Sequence, residues 1–176
     1  MNSGKLEKQT HEAIDVWINA FRQYDFEKIM AKPSEHEWSM GQVGIHLWMS
    51  AKGFFFKQAE KCLNKDGTQS GKGKTWSGHL VFTLKMFPPV RYEMPKQVAV
   101  VPKQPESKEQ LIAKLEEIKQ MASAYIKRIP GSDPSLKTKH PFLGWLNTAE
   151  WISLCNIHFR HHLRQKARIE KHFGLK

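Results

Sequence analysis

The sequence predicts an all-α protein: a four-helix bundle with a long crossover between the second and third helices. Two observations predict it. Four long stretches place apolar side chains at helical spacing, and three of them open with the same capping chemistry. Ser39-Met-Gly-Gln42, Ser107-Lys-Glu-Gln110 and Asn147-Thr-Ala-Glu150 each set a capping oxygen three residues before Gln or Glu, so that side chains satisfy the orphan amides of a helix start. A single domain over residues 1–176 is expected, since 40% hydrophobic content can bury one core of this size.

The first helix is expected over about residues 5–30. Ile14, Trp17, Ile18 and Phe21 fall at i, i+3, i+4 and i+7, and the residue before Pro33 is pushed out of the α region. The second runs from Met40 to about Asn64, with Trp38 and Val43 suited to a hydrophobic staple. Its first half is apolar nearly all round: Val43, Ile45, Leu47, Trp48, Met49 and then Phe54, Phe55 and Phe56. One bundle face cannot absorb that much, which predicts a homodimer, with burial beneath the crossover as the alternative. The third spans Lys108 to about Ile129, ended by Pro130-Gly131, with Leu111, Leu115, Ile118 and Ala122 inward. The fourth spans Thr148 to about His172 and closes at Gly174, with Leu146 and Trp151 as its staple.

The crossover, residues 65–106, carries Gly67, Gly71 and Gly73 near its start and five of the nine prolines. Bundle connections are ordinarily far shorter. Its apolar piece His79–Phe87 reads as a short helix ended by Pro88-Pro89, and the whole as the lip of a cavity.

Lysine and arginine outnumber aspartate and glutamate 28 to 17, a net charge of +11. Arg160, Arg164, Lys166, Arg168, Lys171 and Lys176 crowd the end of the chain. No nucleic-acid signature accompanies them, so they read as a solvated face, as cations favoured at a helix C-terminus, or as attraction for small anions. No run approaches the ~20 apolar residues of a membrane span, and the first residues lack a signal peptide's apolar stretch. A cytoplasmic protein without membrane contact is expected. Cys62 and Cys155 both fall within predicted helices, where reduced thiols in a core are expected.

The chemistry concentrates in His158-Phe-Arg-His161-His162-Leu-Arg-Gln165. His158 and His162 stand i, i+4 on the stripe that includes Trp151, Leu154, Cys155 and Ile169, so both point toward the core, close enough to grip one ion. His46 lies on the inward Val43, Leu47, Ser50, Phe54 stripe of the second helix. If the second and fourth helices are neighbours, His46 completes a three-histidine site. Three neutral imidazoles on one side of a divalent ion leave positions open, the layout of a catalytic rather than a structural site.

Trp38-Ser-Met-Gly-Gln-Val-Gly-Ile-His46-Leu, followed more than a hundred residues later by the His158 to Gln165 run, resembles the DinB/YfiT-like metalloprotein superfamily. The stretch His140-Pro-Phe-Leu-Gly144 resembles a branch in which a His-Pro-x-x-Gly element precedes the last helix. The resemblance implies a four-helix bundle whose metal ligands fall on His46, His158 and His162. It leaves His161 facing the site or solvent, and Gln165 orienting His162 or a bound water. His140 reads as a loop residue held by Pro141, with lining of the cavity as the alternative, and Cys155 as packing rather than a neighbour of the metal. The resemblance further implies a divalent metal (nickel, zinc or similar) and a low-molecular-weight thiol, transferred to a small-molecule electrophile. Arg160 and Arg164 are candidates for holding carboxylates of an acidic thiol. A metal-dependent hydrolase, or a binding protein with a vestigial metal site, are the rival readings.

Overall fold

The computed structural model describes residues 2–88 and 101–175. Asn2 caps the first helix, α1 (Ser3–Gln23), by accepting from Lys5 N at 3.0 Å. The expected single helix over 5–30 is broken at Tyr24, and a short α2 (Phe26–Met30) follows. The break has a polar cause: Lys108 Nζ donates to the freed carbonyls of Arg22 and Tyr24, at 3.1 and 2.9 Å. Tyr24 Oη donates to Glu170 at 2.7 Å, and the turn lets α2 bury Ile29.

Ser39 and Gln42 close their capping box at the head of α3 (Met40–Ser50). The helical rod continues through a π-turn (Ala51–Phe56) into α4 (Lys57–Leu63). Sequence periodicity assumed one uniform helix there. The wider π winding distributes three consecutive phenylalanines: Phe54 against Trp151, Phe55 against His158, and Phe56 stacked on Tyr125.

Thr75 caps α5 (Trp76–Leu84), which starts three residues before the expected His79 and stops at Lys85 in a left-handed conformation, ahead of the prolines. Pro89 and residues 90–100 of the expected lip lie outside the described residues. Ser107 caps α6 (Lys108–Arg128), which ends in a 3-10 turn (Ile129–Gly131). Next comes an element absent from the sequence reading, an antiparallel hairpin of β1 (Lys137–His140) and β2 (Gly144–Asn147) that pairs His140 with Gly144. His140 therefore closes a strand and is no open-loop residue. Asn147 and Glu150 then form the capping box of α7 (Thr148–Phe173).

The crossover is stitched to this hairpin. Bridges join Gln69 to Lys137 and Lys74 to Gly144, and Lys74 is ion-paired with Glu150. Gly144 has φ +83°, and a Cβ there would stand 2.6 Å from Thr75 N and 2.8 Å from Gly73 O. Only glycine fits so close an approach of two backbones. Gly78 does the same for α5, since its added Cβ would lie 2.2 Å from Leu143 O.

The long rods share one core in which Trp17, Phe21, Phe56, Trp151 and Phe159 are fully buried, and α6 and α7 each contact both α1 and α3. The apolar surplus of the second rod is largely spent inside the chain. Val43, Ile45 and Leu47 are buried, and Pro105 of the returning crossover sits against Gly41. Trp48 is held by Glu117 and by the Lys114 ammonium 3.8 Å from its ring, whereas Met49 remains 39% exposed. Among the described residues no helix is long and apolar enough to cross a membrane.

Candidate metal centre

The capping box of α3 sets His46 less than two turns into the helix, facing α7. There His158 and His162 project from one side, one turn apart. His158 Nε2 lies 3.2 Å from His46 Nε2 and 3.2 Å from His162 Nε2. Among the described residues this is the group of three or more His, Cys, Asp or Glu side chains whose ligating atoms converge, all within 4.8 Å of one another.

The hydrogens available cannot satisfy this arrangement. His162 Nδ1 lies 2.9 Å from Gln165 Oε1, an oxygen that only accepts, so Nδ1 carries the hydrogen and Nε2 turns a lone pair inward. The contact between His158 and His162 then needs a hydrogen on His158 Nε2. With that hydrogen in place, His158 has no lone pair left for His46. No neutral tautomer gives each of the two contacts its own hydrogen, whereas a cation taking all three lone pairs resolves both. Metal–nitrogen bonds of about 2.0–2.1 Å set neighbouring nitrogens roughly 2.9–3.4 Å apart in octahedral or tetrahedral geometry, which spans the 3.2 Å observed. The residues present fit a divalent ion.

Protonation does not compete at neutral pH. Burial, then the charge of His161, lowers His46 to about 4. Burial, then His46, lowers His162 to about 3, although Gln165 pulls the other way. His158 is held well below the ordinary histidine value, first by burial and then by His162 and His46. All three rings are therefore in the neutral, ligating form.

Aromatic side chains hold the rings in place. Trp38 lies 5.2 Å from His46 between centroids, Phe55 is 5.2 Å from His158, and Phe87 of the crossover is 6.5 Å from His158. The sequence marked Trp38 as a staple and as the first residue of the motif that carries the family resemblance, and Phe55 as apolar surplus. Phe87 entered only as the end of the apolar piece of the expected cavity lip, and its place beside His158 depends on how the crossover packs.

The other candidates divide. Gln165 touches His162 as expected. His161 is half-buried: its ring packs edge-on against Phe87 at 5.2 Å and against His162 at 5.3 Å, its Nδ1 buried without a hydrogen-bond partner among the described residues. Cys155 is fully buried, and burial pushes its thiol far above the ordinary range, which leaves it a packing residue. Arg160 and Arg164 are exposed, and the Arg164 charge reaches His161. Arg168, named in the sequence only among the cations that crowd the end of the chain, is exposed as well, yet it lines a cavity of about 190 Å³ together with Trp38, Gln165 and Glu37. Two of those residues also touch metal-site histidines. His140 packs on Trp151 and Phe54 at the hairpin end of the same aromatic wall.

Bundle and site together define a class: four-helix proteins that gather three histidines from two helices around a point able to hold one divalent ion. The chain belongs to the DinB superfamily, whose family model matches residues 9–165. Its fold is similar to the crystal structure of TT2238, a four-helix bundle protein, at a TM-score of 0.57 and 16% identity, covering 95% of this chain and 99% of that one. No curated protein matches the chain.

Proposed function

We propose that this protein is a metal-dependent enzyme of the cytoplasm that transfers a low-molecular-weight thiol to a small electrophile, with His46, His158 and His162 as ligands of a divalent ion such as nickel or zinc. The observation that carries the reading is the convergence of three histidine side chains whose contacts no neutral tautomer satisfies. A divalent cation held there supplies positive charge that lowers the pKa of a thiol at an open position, giving a nucleophile at neutral pH. Everything else falls to the chain's own residues. Gln165 fixes the His162 tautomer. Trp38, Phe55 and Phe87 shield the rings from water. Cys62 and Cys155 are both buried, which favours a thiol supplied by a second molecule. Arg160, Arg164 and Arg168 are all exposed, but of the three Arg168 is the one that lines the cavity with Gln165, which favours it as the cation for a carboxylate of that thiol.

Hydrolysis by the same ion is the weaker reading. Among the described residues no Asp or Glu joins the cluster to act as a general base. The test is metal analysis of untagged protein followed by a panel of cellular thiols with an epoxide and a chlorinated aromatic. Near-stoichiometric metal is expected in wild type, lost in His158→Ala and His162→Ala and kept in His161→Ala, with thiol consumption abolished by chelation and preserved in Cys155→Ala. Full metal content in His158→Ala, or ester hydrolysis without any thiol, would refute the reading.

A further inference from the structure

The hairpin does more than join α6 to α7. Its first strand ends at His140, whose Nδ1 accepts from the backbone N–H of Phe142 and of Leu143, each at 3.1 Å. A ring nitrogen that accepts two amide hydrogens carries none itself, so the hydrogen of the neutral ring sits on Nε2. The turn has little freedom to change this. Leu143 is buried, its carbonyl accepts from Thr75 N at 3.0 Å, and Gly144 is pinned at positive φ against residues 73–75.

Phe54 lies 5.7 Å and Trp151 5.4 Å from the ring, and among the described residues nothing accepts from Nε2. A lone polar edge is thus held in an aromatic wall. That wall runs on to the metal position: Trp151 meets Phe55 at 6.5 Å, and Phe55 meets His158 at 5.2 Å. Burial holds His140 itself at about 4, so at neutral pH it is the uncharged donor.

We propose that His140 donates its Nε2–H to an oxygen atom of the electrophile, which makes epoxides the favoured substrate class. The inference rests on the thiol-transfer reading. In the reaction the thiol sulfur, having lost its proton to solvent, bonds to a ring carbon as the C–O bond breaks with its electron pair moving to oxygen. That oxygen takes a proton back from solvent, and thiol plus epoxide give a hydroxy-thioether. His140 keeps its own proton and stabilises the oxygen while negative charge develops there. A chlorinated aromatic expels chloride and has no such oxygen.

Two variants separate the roles of the two ring nitrogens. In His140→Asn the amide oxygen stands where Nδ1 stands and preserves the turn, but no N–H reaches the Nε2 position. His140→Gln restores an N–H there. The first readout needs no turnover: long-range proton–nitrogen spectra of wild type at pH 7 should show the hydrogen on Nε2, and a hydrogen on Nδ1 would overturn the proposal even if a variant failed to fold. The second is the rate ratio of epoxide to chlorinated aromatic in metal-loaded protein. It should fall at least about ten-fold in His140→Asn at unchanged metal content, with partial recovery in His140→Gln. An unchanged ratio, or equal loss on both electrophiles, overturns the donor role and leaves thiol transfer standing. No turnover of either electrophile by metal-loaded wild type overturns thiol transfer itself, and the donor role with it.

Discussion

Gln165 decides which nitrogen of His162 faces inward. Removing its oxygen frees the other tautomer and strands a buried N–H, so Gln165→Leu should weaken metal binding by about 10–100-fold, as losses of such outer partners do. Gln165→Glu keeps an acceptor and should bind nearly as wild type does. Competition against a chromophoric chelator measures both, and equal affinity in Gln165→Leu would show that the contact is incidental. This much was legible in the sequence, because i, i+3 and i, i+4 neighbours on a helix meet whatever the rest of the fold does. His161 was not. One residue from His162 it sits between faces, and only the arrival of Phe87 decides where its ring goes.

At the scale of elements, helix starts were readable because their chemistry is local. Ser39, Ser107 and Asn147 each accept from the amide three residues on, within the reach of their own side chains. Helix interruptions were not readable. The break at Tyr24 needs Lys108 and Glu170, both distant in sequence, and the π-turn answers to the packing of Trp151 and Tyr125. The hairpin was missed for the same reason: its strands are short, and the crossover completes their pairing. Gly144 tests that element. Gly144→Ala forces alanine into φ +83° and drives a Cβ into Thr75 and Gly73, which should cost about 1–3 kcal/mol or more, read as a lower urea midpoint with an unchanged slope. A midpoint within error of wild type would mean that the crossover does not dock on the hairpin.

Across the whole molecule, the buried histidines set how metal-free protein responds to acid. His46 and His140 are both held at about 4 in the folded chain, against about 6.5 when unfolded. Between those values the unfolded chain binds more protons, so stability is fully present above about pH 6.5 and is lost as pH falls toward 4. Urea midpoints of chelated protein should decline over that window, less steeply in His140→Asn, and a flat profile would show that these rings remain hydrated. Metal should flatten the decline until protons displace it from the ligands.

What the sequence by itself determined are the features that depend on neighbours along one helix: the caps, the apolar stripes, the facing pair His158 and His162, and the inward position of His46. Family membership follows from the same motifs, since they are linear patterns. Tertiary structure alone decided that the ligating atoms of His46, His158 and His162 converge to within 4.8 Å of one another, that Phe87 packs on His158, and that Arg168 rather than Arg160 or Arg164 lines the cavity with Gln165. It also fixed the hydrogen of His140 on Nε2, through two backbone amides that a hairpin supplies. Each of these needs groups far apart in the chain to meet at hydrogen-bond or van der Waals range, and helical periodicity carries no information about which residues of separate elements will do so.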